Sequence, residues 1–374
     1  RMTPLQAATH VDPYPYYASL RRHEELLFDA ELGLWVASRA KTVEAVLTHP
    51  DCRVRPLHEP VPKALAQGAA GQVFARLMRM NEGPAHRCPR AAIEPALAAV
   101  EASAIAERVA RLIGSVQTLD ALMFTLPVSV VASLLGCPAP QLACVAGLTR
   151  AFVAGLSPLS SEAQLCNAQA GASQLQQMFC AVLEETALLA HIRTGNWESA
   201  QVLTANLIGL LSQTCEASAG LIGNSLVMLA RHPERVAQIM RTPALATALV
   251  EEVARYDSPV QNTRRFVAAR CTIGNRVLAA GESVLVLLAS ANRDAEANLD
   301  PDSFVLARTQ RRLFSFGIGR HQCPGQQMAL TIAAQALLGL LRHQPALLAD
   351  AGRFSYWPSL NGRIPRFSAA ALSQ

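Results

Sequence analysis

Phe316-Gly317-Ile318-Gly319-Arg320-His321-Gln322-Cys323-Pro324-Gly325 decides how the rest of this chain is read. One cysteine sits between a glycine-containing approach and the start of a helical pattern. Pro324 suits a first helical position, because its missing N–H costs nothing there. Apolar residues then recur every three to four positions, at Met328, Leu330, Ile332, Leu337 and Leu341. Arg342 and His343 suit the last turn, and Pro345 ends it. Cys323 is therefore expected at a helix N-terminus, where free N–H groups and the positive dipole end favour thiolate. Gly317 and Gly319 remove side chains just upstream, so a flat ligand can lie close to the backbone.

A thiolate facing such a surface is what a haem iron asks of a cysteine ligand; a buried free cysteine after a glycine turn is the plainer alternative. The whole string resembles the haem-binding loop of the cytochrome P450 superfamily, Phe-Gly-x-Gly-x-His-x-Cys-x-Gly. Every specified position is present. The resemblance implies haem b as cofactor and Cys323 as iron ligand. It also implies that Phe316, Gly317, His321 and Gly325 are cofactor-binding positions.

Composition sets wider limits. The chain has 374 residues, 51% hydrophobic, 16% charged and only 5% aromatic, with alanine and leucine prominent, which favours helix. A formal net charge of +5 is too small to argue for nucleic acid. Nine cysteines without C-x-x-C pairs read as reduced thiols of a cytoplasmic protein. The opening residues Arg1-Met2-Thr3-Pro4 show no basic-then-apolar leader, and no apolar run reaches membrane-spanning length.

In chain order, Tyr17 to Arg22 reads as a short helix. Leu26–Asp29 and Leu34–Ser38 read as a hairpin around Gly33. Lys41 to Leu47 reads as a helix capped by Ser38 or Thr42, and residues 56–76 as a mobile loop. Residues 91–191 are almost wholly helical, with a break at Ser157–Ser161 and a long run from Ala163 to Ala190. Trp197 to Arg231 is one long helix, residues 243–256 another, and 266–290 alternate as strands. Trp357 to Phe367 reads as a final strand pair, with Leu360 or Asn361 near the pocket.

Further pieces extend the resemblance in the family's order. His86 and Arg90 match its His-x-x-x-Arg, whose cations hold a haem propionate; Pro89 between them would kink a helix that starts at Pro84. Ser212-Gln213-Thr214-Cys215-Glu216-Ala217 occupies the place of the oxygen-activating helix. Glu216 matches the acid, but Ala217 stands where the family carries an alcohol, and Ser218 points elsewhere at 100° per residue. Glu252 and Arg255 match a structural Glu-x-x-Arg helix, with Arg308 as third member. Arg265 fits the propionate arginine of Thr-x-Arg. Val260, Gln261 and Asn262 would border the pocket, together with Gln213.

The resemblance covers the chain from about Pro13 to Phe367. It implies a mainly α cytochrome P450 fold in one domain over residues 1–374. Small β-rich parts are expected near 13–60, 266–290 and 353–370, and the haem is expected between the long helix and the cysteine loop. The implied activity is monooxygenation of a small organic, specialised-metabolite substrate with dioxygen. Electrons would come from a ferredoxin or flavodoxin and its reductase, steered by a basic face of Arg311, Arg312 and Arg320. Dioxygen cleavage needs two protons delivered in order. With Ala217 in place, Thr214, a substrate hydroxyl or a second water must hold the relay, together with Glu216. Other haem-thiolate chemistry (peroxide-driven oxidation, coupling or isomerisation) and a haem protein without turnover stay open. No nucleic-acid or membrane partner is expected.

Overall fold

A computed structural model describes residues 1–23, 25–181 and 183–367. Residues 368–370 of the expected β-rich tail, and residue 182 in the expected run 163–190, lie outside it. Contacts divide the chain into two compact units.

The first unit comprises Arg1–Pro60, Glu251–Cys323 and Pro358–Arg363. Its strands are β1 (Leu26–Asp29), β2 (Leu34–Ala37), β3 (Cys52–Arg53), β4 (Thr263–Val267), β5 (Cys271–Ile273), β6 (Arg276–Leu278) and β7 (Ser283–Val286). Five form one sheet in the order β1-β2-β7-β4-β3, with β2 and β7 parallel; β5 and β6 pair separately. The expected hairpin is β1–β2, and Gly33 takes φ +65° in its turn. The alternation of β2 and β7 feeds two cores. Ala37, Val284 and Val286 join Val43, Val46 and Leu47, whereas Leu34, Val36 and Leu285 join Tyr17. A sheet covered on both faces needs apolar residues at successive positions, and these strands have them.

The helix Ala40–Thr48 forms where expected, but neither Ser38 nor Thr42 caps it. The carboxylate of Asp294, 254 positions away, accepts the Ala40 N–H at 2.8 Å. A remote charged acceptor replaces the local hydroxyl.

The buried core of this unit is ionic. Glu252 and Arg255 are both 0% exposed. Arg255 donates to both carboxylate oxygens of Glu252, at 2.7 and 3.1 Å. Arg308 and Arg311 donate to the same carboxylate at 3.2 and 3.1 Å, and the Val305 N–H does so at 2.6 Å. Arg308 is thus the third member, as expected. Arg311 is a fourth, so it does not belong to an open basic face. The guanidinium groups also take the carbonyls of Leu299, Asp300, Pro301 and Ser303. Asp300 is the non-glycine residue at positive φ (47°) among the described residues, and Arg308 holds its carbonyl. The chain then enters the cysteine loop under amide control. Asn298 brackets Arg312 through its N–H and C=O, at 2.8 and 2.9 Å. Asn292 accepts the Phe314 N–H at 2.7 Å.

The second unit comprises Val61–Val250, Pro324–Trp357 and Ile364 onward. Its axis is the helix Ala200–Arg231, packed against Ala69–Arg76, Leu126–Leu134, Leu142–Ala154, Glu162–Cys180 and Gln326–His343. Strands β8 (Phe354–Tyr356) and β9 (Pro365–Phe367) form a final pair, but the first strand lies just before the expected range of 357–367. Residues 56–76 are not wholly a loop, because Ala69–Arg76 is helical. Gln169 caps it from another helix, accepting the Ala70 N–H at 2.8 Å. The run expected to reach Ala190 stops at Cys180, and a separate helix spans Ala187–Arg193. Ser161 and Gln164 form a reciprocal capping box at its start, after the expected break. Pro84–Ala98 continues through Pro89 and Pro95. Burial of Pro89 with Ile93 and Leu97 outweighs the hydrogen bonds those prolines cannot make. Among the described residues, no helix is long and apolar enough to cross a membrane.

The arginine cluster makes a direct prediction. Desolvation pushes the Glu252 carboxyl up, but the bonds from Arg255, Val305 and Arg311 outweigh it and hold the pKa below the ordinary value. A depressed carboxylate contributes stability above the unfolded pKa, about 4.3, and loses it as pH falls through the lower folded value. Glu252→Ala leaves buried guanidinium groups unpaired and should cost about 3–5 kcal/mol at neutral pH by urea unfolding, with the deficit shrinking in acid. A deficit that is small or independent of pH would remove the cluster from its structural role.

Candidate functional site

In the first unit the cysteine loop is closed by its own backbone. The Cys323 N–H donates to Phe316 O at 2.8 Å, and Gly317 N–H donates to Phe314 O at 2.9 Å. Gly317 and Gly319 take φ +72° and +83°, a region that favours glycine. Gly319 is constrained twice, because a Cβ there would meet Thr48 Cγ2 at 3.2 Å and Leu47 O at 3.3 Å. Arg320 donates to the carbonyls of His49 and Cys52, at 3.2 and 3.1 Å, which pins the short turn Gly319–His321.

The helix begins at Gln326 with Gly325 as its cap, two residues later than Pro324 suggested. Cys323 therefore precedes the helix, and its own N–H closes the loop instead of remaining free. Its thiol is half-buried, whereas Cys52, Cys137, Cys215 and Cys271 are buried and Cys88, Cys144, Cys166 and Cys180 are exposed. This donor set fits a haem. A single thiol keeps accessible surface at the end of a loop whose approach carries no side chain at Gly317 or Gly319.

The proposed propionate cations divide by unit. Arg265, on β4, is 8% exposed and donates to Thr263 Oγ1 and Arg264 O. His321 is half-buried in the short turn. In the second unit His86 is buried in the first turn of Pro84–Ala98, its N–H on Gly83 O at 3.0 Å. Arg90 pairs with Glu94 at 2.6 Å. His86 and Arg90 thus differ: one is held by burial, the other is shared with a carboxylate.

The long helix Ala200–Arg231 is buried over Ala205–Ser212 and again over Ser218–Val227. Between these stretches Gln213, Thr214, Glu216 and Ala217 keep accessible surface. Ser218 is buried, as expected, and gives this surface no hydroxyl. The Thr214 hydroxyl donates to Leu210 O at 2.7 Å, so its oxygen offers only lone pairs to a visitor. Glu216 keeps surface, yet desolvation raises its pKa; the charges of Arg79 and Arg150 pull it back only in part. Arg79 behaves in the same way. It keeps surface, but desolvation lowers it to about 10 and the charge of Glu216 opposes that shift. At neutral pH it stays a cation.

Sequence reading missed Arg79. It lies on the short turn Met78–Met80, and Asn206 of the long helix fixes that turn by accepting Met78 N–H at 2.9 Å and donating to Arg76 O at 3.1 Å. The available signal was a lone arginine between Leu77, Met78 and Met80, just ahead of the His86 motif.

Pocket residues proposed from sequence fare unequally. Gln261 is 0% exposed; its carbonyl accepts from Tyr17 OH at 2.8 Å and its amide donates to Ser258 O at 2.7 Å. It is a structural clamp with no surface to offer a ligand. Asn262 is 3% exposed and donates to Leu360 O. Val260 keeps some surface and bridges to Gly362, and the Gln261 N–H donates to Asn361 O, so the 260–262 and 360–362 segments pair.

Comparison with known proteins agrees with these features. A family model described as cytochrome P450 matches residues 203–344. The chain is 30% identical over 253 residues to cytochrome P450 monooxygenase PikC of Streptomyces venezuelae, covering 66% of this chain and 61% of PikC. It is 28% identical over 366 residues to the putative cytochrome P450 133B2 of Xylella fastidiosa (strain 9a5c), covering 90% of each. The fold is similar to that of P450BioI in complex with hexadec-9Z-enoic acid ligated acyl carrier protein, with TM-score 0.78, 22% identity and 95% and 97% of the two chains covered. It is equally similar to CalO2, with TM-score 0.78, 23% identity and 98% and 97% covered. With its cysteine loop, its buried Glu-x-x-Arg cluster and its acid-bearing long helix in that family's order, the chain belongs to the cytochrome P450 superfamily.

Proposed function

We propose that this chain is a haem-thiolate monooxygenase that oxidises a small organic, specialised-metabolite substrate with dioxygen. The observation that carries the reading is Cys323, half-exposed at the end of a loop with glycines at positive φ. In this reading the 374 residues act as one domain. Cys323 ligates haem b, Phe316, Gly317 and Gly325 shape its bed, and His86, Arg90, Arg265 and His321 hold its polar edge. The bound haem supplies thiolate-assisted cleavage of the O–O bond.

The protein's own share is proton handling and orientation. Glu216 holds a proton at its carboxylate more tightly than an ordinary glutamate does, which suits a general acid. Arg79 offers a fixed charge beside it that orients water or an anionic part of the substrate. Ala217 offers no hydroxyl, and Thr214 accepts but does not donate, its proton being on Leu210 O. The relay therefore needs one donor from outside this helix, supplied by the substrate or a second water. Gln213 and Val260, which keep accessible surface, are the proposed substrate contacts, and Asn262 is buried and bonded to Leu360 O. Ala217 also favours a second reading, oxidation driven by peroxide, which brings both oxygens and the protons in one molecule.

Electrons come from a ferredoxin or flavodoxin with its reductase. Arg312 is the exposed member of the three arginines expected to steer it, paired with Glu44. Nine cysteines without a C-x-x-C pair suit a cytoplasmic location.

The ferrous, carbon-monoxide-bound protein should show a haem-thiolate Soret band, and Cys323→Ser should lose it together with turnover; an unchanged band would end the reading. Ala217→Thr should change the fraction of reductant recovered as product with ferredoxin and reductase while leaving peroxide-driven turnover nearly unaltered. Equal coupling in both proteins removes the argument from the missing hydroxyl. The raised Glu216 pKa has a definite sign for stability. The protonated form is favoured in the fold, so its contribution is complete below about pH 4.3 and is lost as pH rises through the folded value. Glu216→Gln should match the parent in acid and exceed it in urea midpoint at neutral pH; parallel curves would contradict the desolvated carboxylate.

A further inference from the structure

Away from the long helix, the first unit brings together three side chains that the proposed reaction does not use. The ligand atoms of His49, Cys52 and Cys271 all lie within 4.8 Å of one another. They come from three places: the end of the helix Ala40–Thr48, β3 and β5. Cys52 is 0% exposed and Cys271 9%, within a core that contains Val46, Leu47 and Val267. The Asp51 N–H donates to His49 Nδ1 at 3.0 Å, which marks the ring as neutral, the form that binds a metal.

We propose that His49, Cys52 and Cys271 form a binding site for one zinc-like cation. Two sulfurs and one imidazole nitrogen are the donors of a borderline-soft metal, whereas calcium and magnesium require oxygens. Tetrahedral zinc sets its ligand atoms about 3.3–3.8 Å apart, so a small inward movement of these side chains closes the site. Water takes the fourth position. As the metal–sulfur bonds form, each thiol releases its proton, and the metal–nitrogen bond replaces the Asp51 hydrogen bond. A divalent ion with two thiolates is neutral overall, which suits an apolar surround better than either charge alone. The entry side is that of His49, which keeps surface. Arg320 holds the carbonyls of His49 and Cys52, so the site adjoins the cysteine loop without including Cys323.

Cadmium added to the haem-containing protein tests this, because sulfur-to-cadmium charge transfer gives an ultraviolet band. The band should appear with a single tight equivalent and protons should be released. It should be lost in Cys271→Ser and in Cys52→Ser, and kept in Cys88→Ser and Cys166→Ser. In the unaltered chain, which needs no folding control, zinc should block alkylation of Cys271 while Cys88, Cys144, Cys166 and Cys180 stay reactive. A band that survives Cys271→Ser, zinc protection confined to the exposed cysteines, or recovery of Cys52 and Cys271 as a disulfide with zinc present would each overturn the proposal. The haem spectrum is read on the same sample, so failure of this site and failure of haem ligation by Cys323 are told apart.

Discussion

One buried carboxylate facing three guanidinium groups sets the first unit. Glu252 is inaccessible to water, and Arg255, Arg308 and Arg311 converge on its two oxygens. Burying one charge without the others is costly, so the arrangement forms together or not at all. Its consequence is directional. The same guanidinium groups hold the carbonyls of residues 299–303, and Asn292 and Asn298 take over at Phe314 and Arg312. The chain reaches Phe316 with its path already fixed. The loop that ends in Cys323 then presents its thiol through two left-handed glycines, two backbone bonds and the hold of Arg320 on its short turn.

The second unit solves a different problem. A long helix buried over most of its length keeps accessible surface over little more than one turn at its middle, at Gln213, Thr214, Glu216 and Ala217. The turn carrying Arg79 is tied to that helix by Asn206, and the charges of Arg79 and Glu216 act on one another. Ala217 gives this stretch no hydroxyl, while Arg79 adds a charge that acts on Glu216.

Much of the fold was legible. The β1–β2 hairpin, the long helix and the Glu252–Arg255 pair stand where spacing put them, because each depends on short-range periodicity or on residues three positions apart; Arg308, 56 positions from Glu252, followed from the order of the motifs. The misses share one cause. The caps of Ala40–Thr48 and Ala69–Arg76 come from Asp294 and Gln169, far away in sequence. Gln261 looked like a pocket residue until Tyr17 and Ser258 engaged it, and Arg311 looked like a surface cation until Glu252 did. Polar side chains carry no mark of whether their partner will be protein, water or ligand.

The sequence by itself determined the kind of chemistry. A cysteine at that spacing from glycines, an acid in a long apolar helix and a missing alcohol beside it are matters of residue identity. Only the tertiary structure decided which charges are satisfied. It turned Gln261 and Arg311 inward, tied the turn of Arg79 to the long helix, and gathered His49, Cys52 and Cys271 into one cluster. Electrostatic partnership depends on distances of a few ångströms between residues that the chain separates by tens or hundreds of positions, and only packing sets those distances.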